Sequence, residues 1–207
     1  MVPYAILLAF LCLGVACMLH YRLQQVVLLH AKQFNVNQHV LHDPLMRWAR
    51  SLCNTNKYCM RVAYTRGFNF NDIIVKVLIA IMVIWLAMKR KTHHLLENSI
   101  LVIAGLLVFR GILFNMTIMP APNTIRHIST LNGGCNDLMF SGHYVIVTIF
   151  LYLLWRHMHL PILLKIACTI IGLIVMPFLT LASQSHYSID IILSMVITYL
   201  VASQGIG

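Results

Sequence analysis

Ser141-Gly142-His143-Tyr144-Val145-Ile146-Val147-Thr148-Ile149-Phe150-Leu151-Tyr152-Leu153-Leu154-Trp155 opens on a polar triplet and then turns almost wholly apolar. Cys135-Asn136-Asp137-Leu138-Met139-Phe140 leads into it, so a polar island stands at the head of a hydrophobic run. A second island, His186-Tyr187-Ser188-Ile189-Asp190, stands at the head of another. An imidazole or carboxylate in apolar surroundings is costly unless it is paired, so these groups need a reason to be there.

The surroundings are apolar throughout. The chain of 207 residues is 60% hydrophobic and only 10% charged, against about 25% charged in a soluble domain. It cannot cover itself with a polar surface, and the reading is a polytopic membrane protein. Apolar stretches fall at 2–19, 73–88, 97–119, 138–155, 160–182 and 188–203. A spanning helix needs about 20 residues, so the expected fold is all-α, with about six transmembrane helices in a single membrane domain over 1–207. The first stretch lacks the basic start and small-residue cleavage site of a signal peptide, and is read as a span. Residues 20–72 are the one long polar connection. Trp48 among Arg47, Arg50 and Leu52 marks part of it as interfacial.

The formal net charge is +10, from 15 Lys and Arg against five acids. In a membrane protein such an excess points to anionic headgroups and topology signals. No nucleic-acid-binding motif or aromatic-basic stripe accompanies it, which excludes a nucleic-acid partner. Lys89-Arg90-Lys91 dominates the short connection between the second and third spans and predicts that side to be cytoplasmic. Six spans then put both polar islands on the lumenal or exterior side. Arg22, close after the first span, argues against that orientation.

Cys12, Cys17 and Cys168 lie in apolar runs and read as small buried hydrophobes. Cys53 and Cys59 would pair if their loop were lumenal, which spacing alone leaves open. No zinc spacing appears, and no metal or cofactor is expected. His93-His94 and His157-x-His159 read as loop histidines, the methionines as packing, and Asn115-Met116-Thr117 as a sequon in or near a span.

The chemistry lies in the islands. His186 and Asp190 are four apart and share a helix face. A carboxylate beside one ring nitrogen fixes the tautomer and leaves the other nitrogen free to attack. With eleven histidines and five acids, such a pair arises readily by chance, and a capping or core-satisfying pair is the plainer alternative. At the other island, the Ser141 hydroxyl and the free N–H groups of a helix start suit a phosphate, and Gly142 allows close approach. His143 is then placed as an acid/base. The plainer alternative is N-capping by Ser141. The functional reading gains from the pairing: two spans start on the same side, each led by a histidine.

Together the islands resemble the paired signatures of the sphingomyelin synthase family, within the lipid phosphate phosphatase (PAP2) superfamily. The family pattern is Cys-Gly-Asp, three residues, Ser-Gly-His, and later His-Tyr-Thr-x-Asp. Asn136 replaces the Gly and Ser188 the Thr. Arg110 followed by Pro120 and Pro122 is a looser match. The resemblance covers residues 105–200, and the first hundred only by topology. It implies a PAP2-like helical core with its site at the lumenal or exoplasmic face of an endomembrane (Golgi or ER) or of the plasma membrane. The implied activity is transfer of phosphocholine or phosphoethanolamine from phosphatidylcholine or phosphatidylethanolamine to ceramide. His186 would attack phosphorus with Asp190 behind it. His143 would protonate the departing diacylglycerol and then deprotonate the acceptor. Arg110 inside an apolar run clamps a phosphate, snorkels, or pairs with Asp137, and Asp137 orients Arg110 or a histidine, or caps. Arg110, Asp137, Ser141 and Gly142 are thus the expected phosphate-binding set.

Two other enzymatic readings and one silent one compete. A lipid phosphate phosphatase of the superfamily shows Lys-x6-Arg-Pro and Ser-Arg-x5-His. Here there is no Arg-Pro dipeptide, and Leu179 and Thr180 fill the places of the Ser-Arg pair. A phosphomonoester carries up to two charges and needs those cations, whereas a phosphodiester carries one. Diacylglycerol is an alternative acceptor, although Cys-x-Asp before Ser141 favours ceramide. Ser185 stands where the family usually has an acid linked to headgroup choice, and phosphocholine is taken first. The last reading is a non-catalytic scaffold or lipid-binding protein, disfavoured by the full set His143, His186 and Asp190.

Overall fold

The computed structural model describes residues 4–33, 41–59, 70–88, 93–116 and 140–206. Among them there is no strand, and each of the six apolar stretches is mainly helical where it is described. In lipid the backbone must satisfy its own hydrogen bonds, and uninterrupted apolar runs do this by coiling. The helices are α1 (Tyr4–Gln33), α2 (Pro44–Asn54), α3 (Phe70–Met88), α4 (His93–Met116), α5 (Gly142–Arg156), α6 (Ile162–Ile170), α7 (Met176–Ala182) and α8 (Ser188–Gly205). A π-helical turn, Ile171–Val175, joins α6 to α7. Four segments are long and apolar enough to cross a membrane: Tyr4–Val26, His93–Leu113, Ile162–Ala182 and Ser188–Gly205. The α5 helix is apolar but shorter, and α3 carries Asp72 and Lys76 near its start. The protein is an all-α polytopic membrane protein.

Two boundaries differ from the apolar pattern. The α1 helix runs past the first stretch to Gln33, since nothing from His20 onward breaks it. The stretch 160–182 is not one regular helix. Pro177 has no N–H to give and its ring collides with the preceding turn, and the π turn just before it absorbs the defect. Gly172 in that turn meets α5 closely: a Cβ there would lie 2.9 Å from Val147 Cγ1.

The α5 helix is the centre of the bundle. Tyr144, Val147, Ile149, Leu153 and Leu154 are all but sealed, and α3, α4, α6 and α8 pack around them. The α1 helix packs on α4, where Gly111 makes room for Leu23. Exposed Phe10, Leu163, Ile174 and Leu200 face outward as lipid-facing side chains do. The connection 20–72 contains α2, a short amphipathic helix started by the Asp43 side chain and Pro44 and packed on α7. A disulfide joins Cys53 in the last turn of α2 to Cys59 beyond it. Chain direction then gathers the starts of α3, α5 and α8 with the ends of α4 and α7 at one end of the bundle.

Buried polar bonds fix that end. Thr180 of α7 accepts from Asn71 Nδ2 at 2.7 Å and shares a 2.6 Å bond with the Tyr144 hydroxyl, tying α3, α5 and α7 together. Replacing Thr180 by Val keeps the shape but takes this partner from two buried polar groups. Thr180→Val should cost about 1–3 kcal/mol, read as a lower thermal midpoint in detergent micelles, with Thr180→Ser restoring most of it.

Candidate active site

His186 lies in the linker between α7 and α8, and Asp190 in the first turn of α8. Asp190 is fully buried, and its Oδ2 accepts the Tyr187 N–H at 2.9 Å. The same oxygen lies 3.4 Å from His186 Nδ1. The carboxylate thereby faces one side of the ring and turns Nε2 outward. Ser141 Oγ is 3.3 Å from that Nε2. Ser141 does stand at the N-cap of α5, yet its side chain makes no cap hydrogen bond. Its hydroxyl is committed to the histidine instead, so the plain capping role weighed from sequence is not the one adopted.

Ser194 joins the two islands. The Ser141 N–H donates to Ser194 Oγ at 2.6 Å, and that hydroxyl donates to the Asp190 carbonyl at 2.5 Å. One turn of α8 therefore sets both the His186–Asp190 pair and the start of α5. His143, in the first turn of α5, donates through Nε2 to Asp72 Oδ1 at 2.5 Å. Each histidine thus has a carboxylate of its own. The two pairs differ in setting: His143 and Asp72 are each about 30% exposed, whereas Asp190 is sealed.

Arg110 reaches the same place from α4. A Cβ built on Gly142 would lie 2.9 Å from Arg110 Nη1, so the guanidinium rests on the first residue of α5. A helix start presents N–H groups and the positive end of its dipole. With Arg110 beside it, that start suits a phosphate. Asp137, expected in the same set, lies outside the described residues, as do Cys135, Asn136, Pro120 and Pro122. The structure therefore brings together His143, His186, Asp190, Arg110, Ser141 and Gly142.

Residues 134–204 match the family described as PAP2 superfamily C-terminal. The phosphatidylinositol:ceramide inositolphosphotransferase of Trypanosoma cruzi (strain CL Brener) is 33% identical over 82 residues, 38% of this chain and 24% of that protein. The protein of the same name from Leishmania major is 37% identical over 82 residues, 37% of this chain and 24% of its own. The chain thus spans about a quarter of the length of these curated relatives. No solved structure matches it. The resemblance stated from the two islands holds over this PAP2 segment, which contains both histidines, Asp190, Ser141, Gly142 and Ser194. Arg110 and Asp72 lie before it.

Sequence reasoning missed Asp72 and Ser194. Asp72 is an acid in the first turn of a helix, a common place for one, and its partner is 71 positions away. Ser194 is a small polar residue inside an apolar helix. The one available signal was its place four residues after Asp190, where a serine hydroxyl reaches back to a carbonyl. Ser194→Ala leaves the buried Ser141 N–H without this acceptor and should destabilise by about 1–3 kcal/mol. Thermal unfolding in detergent checks it, and a change under 0.5 kcal/mol, about what surface substitutions give, would contradict the bridge.

Proposed function

We propose that the protein is a phosphotransferase that moves the phosphorylated headgroup of a glycerophospholipid to ceramide. The observation that carries the reading is the pair of histidines at one end of a membrane bundle, each against a carboxylate, beside a guanidinium at a helix start. The names of the two relatives support the reaction class. His186 Nε2 attacks phosphorus while the bond to the diacylglycerol oxygen breaks, and His143 gives that oxygen a proton. The ceramide hydroxyl then attacks phosphorus, His143 takes its proton, and the P–N bond breaks to free His186. Asp190 stabilises the charge that forms on His186, Asp72 orients His143, and Arg110 with the α5 start holds the phosphate oxygens. Two displacements in sequence replace one difficult step.

For the headgroup we propose inositol phosphate before phosphocholine. Both relatives carry inositol in their names. The linker beside His186 is also uncharged: Ser183 and Ser185 share a 2.7 Å hydroxyl bond, next to Gln184. Hydroxyls and amides suit a polyol, whereas a quaternary ammonium is better met by acids or aromatic faces. The proposed site faces the lumen or exterior. The Cys53–Cys59 bond supports this, because disulfides persist in oxidising compartments, and Lys89-Arg90-Lys91 falls between α3 and α4, at the opposite ends of those helices.

The contact between Ser141 Oγ and His186 Nε2 supports a second reading, in which Ser141 is the nucleophile and His186 its base. Trapped intermediates separate the two. A phosphorus–nitrogen bond is acid-labile and survives in Ser141→Ala, whereas a serine ester is acid-stable and does not form in that variant.

Vesicles containing labelled phosphatidylinositol, phosphatidylcholine or phosphatidylethanolamine, offered ceramide, diacylglycerol or water, test the function directly. Ceramide should receive label from phosphatidylinositol first. His186→Ala should lose at least about a thousandfold of the rate, since a nucleophile has no substitute. Label reaching only water, or a His186→Ala protein at wild-type rate, contradicts the proposal. Asp72→Asn should lower kcat by about 100-fold or more, the range of a positioned acid/base, with KM for both lipids little changed.

A further inference from the structure

Three backbone or side-chain groups flanking His186 are gripped from α2 and the residues before it, a segment far away in sequence. Arg50 Nη1 donates to Gln184 Oε1. The Leu41 N–H donates to the Tyr187 hydroxyl at 3.1 Å. The Ser188 N–H donates to Asp43 Oδ2 at 2.6 Å. Outside the linker, Trp48 meets Phe178 of α7 edge-on, with ring centroids 6.2 Å apart. Gln184 also has a φ of 53°, the left-handed region that non-glycine residues avoid. A turn of that kind persists where its surroundings hold it, and Arg50 is bonded to that very side chain.

Asp43 is the pivot of the grip. Its Oδ1 accepts the Met46 N–H at 3.0 Å, the ordinary N-cap bond of α2. Capping needs nothing more. The second oxygen nonetheless crosses 145 positions to the first residue of α8, two residues after His186 and two before Asp190. Asp43 is buried, and each of its carboxylate oxygens accepts a backbone N–H. The phenol of Tyr187 contributes as a neutral group: burial, followed by the carboxylates of Asp190 and Asp43, raises its pKa above the usual range, against the opposing effect of the Leu41 bond.

We infer that residues 41–54 form a strap that positions His186, with Asp43 as the positioning residue. The strap lies outside the matched residues 134–204. It fixes the linker on both sides of His186 and so sets the ring between Asp190 and Ser141. This rests on the transferase reading for its catalytic consequence, but its structural content stands separately. The Cys53–Cys59 bond ties the last turn of α2 to the residues beyond the strap, with Cys53 fully buried.

The test uses the full chain in vesicles of phosphatidylinositol, phosphatidylcholine and ceramide, with rates taken per folded molecule. Asn at position 43 keeps one acceptor oxygen and turns an amide N–H toward the other donor. Asp43→Asn should lower kcat by about 10- to 100-fold, the cost of misplacing a reacting group by a fraction of an ångström to an ångström. KM should stay within about threefold, because the strap's bonds named above go to the linker and the first residue of α8 rather than to Arg110, Ser141 or Gly142. Amide hydrogen exchange at 184–188 should quicken by at least about tenfold, as a local opening would, while α5 amides hold. A merely stabilising cap would lower the thermal midpoint and leave kcat per folded molecule unchanged, which overturns the proposal. If wild-type protein transfers no headgroup at all, the transferase reading fails and the exchange result alone decides the strap: unchanged exchange overturns it. If Asp43→Asn does not fold, the surface variant Arg50→Ala decides by the same measurements at Gln184 and Ser185.

Discussion

The hydroxyl of Ser194 stands between the two parts of the site and receives one proton donor while giving its own proton to a carbonyl. In an apolar bundle such a bond has no competitor from water, and leaving either group unmade is costly. The consequence is geometric. The start of α5 is tied to the first turns of α8, and side chains two residues to either side inherit their places from that tie. Ser141 Oγ meets His186 Nε2, and His143, in the first turn of α5, reaches Asp72 of α3. Asp72 then meets His143 because Asn71, its neighbour, is bonded to Thr180 of α7. A single end of the bundle is thereby cross-braced through α3, α5, α7 and α8 by hydroxyls, with charges confined to the pairs they hold.

Much of this was legible in the sequence, and the limits follow from distance along the chain. The six apolar runs are helical because lipid leaves the backbone few alternatives. His143, His186 and Asp190 announced themselves as polar groups in apolar company, and the spacing of the last two is a helical spacing. Asp72 carried no such mark, since its partner is in another helix and an acid at a helix start needs no partner at all. The α2 helix was read only as an interfacial segment around Trp48. Asp43-Pro44 was a usable start signal there, cap followed by proline at the first helical position. What no local pattern shows is that the second oxygen of that cap serves α8. The π turn likewise depends on Pro177 within a run that hydropathy reads as continuous.

Charge pairing within the site bears on which phosphate it suits. Each imidazole faces one carboxylate, so protonation of either ring yields a pair that is nearly neutral as a unit. Among the described residues, Arg110 lies against the α5 start, where the helix N–H groups also point. For the proposed transfer, a guanidinium and a helix start suit a single negative charge. A phosphodiester carries one, before and after its headgroup moves, and the proposed intermediate on His186 would carry one as well. A phosphomonoester brings a second charge into a site whose histidines already face carboxylates, and the place where the superfamily's phosphatases keep the Arg of Ser-Arg-x5-His holds Thr180. Thr180 is moreover fully engaged in bracing, bonded to Asn71 and Tyr144. Converting that position to a cation would remove the brace that sets Asp72 against His143. On the proposed reading, the residue that stands in place of a phosphatase cation therefore also braces the start of α3 that carries Asp72, so a preference for a diester and the placing of His143 are linked through one side chain.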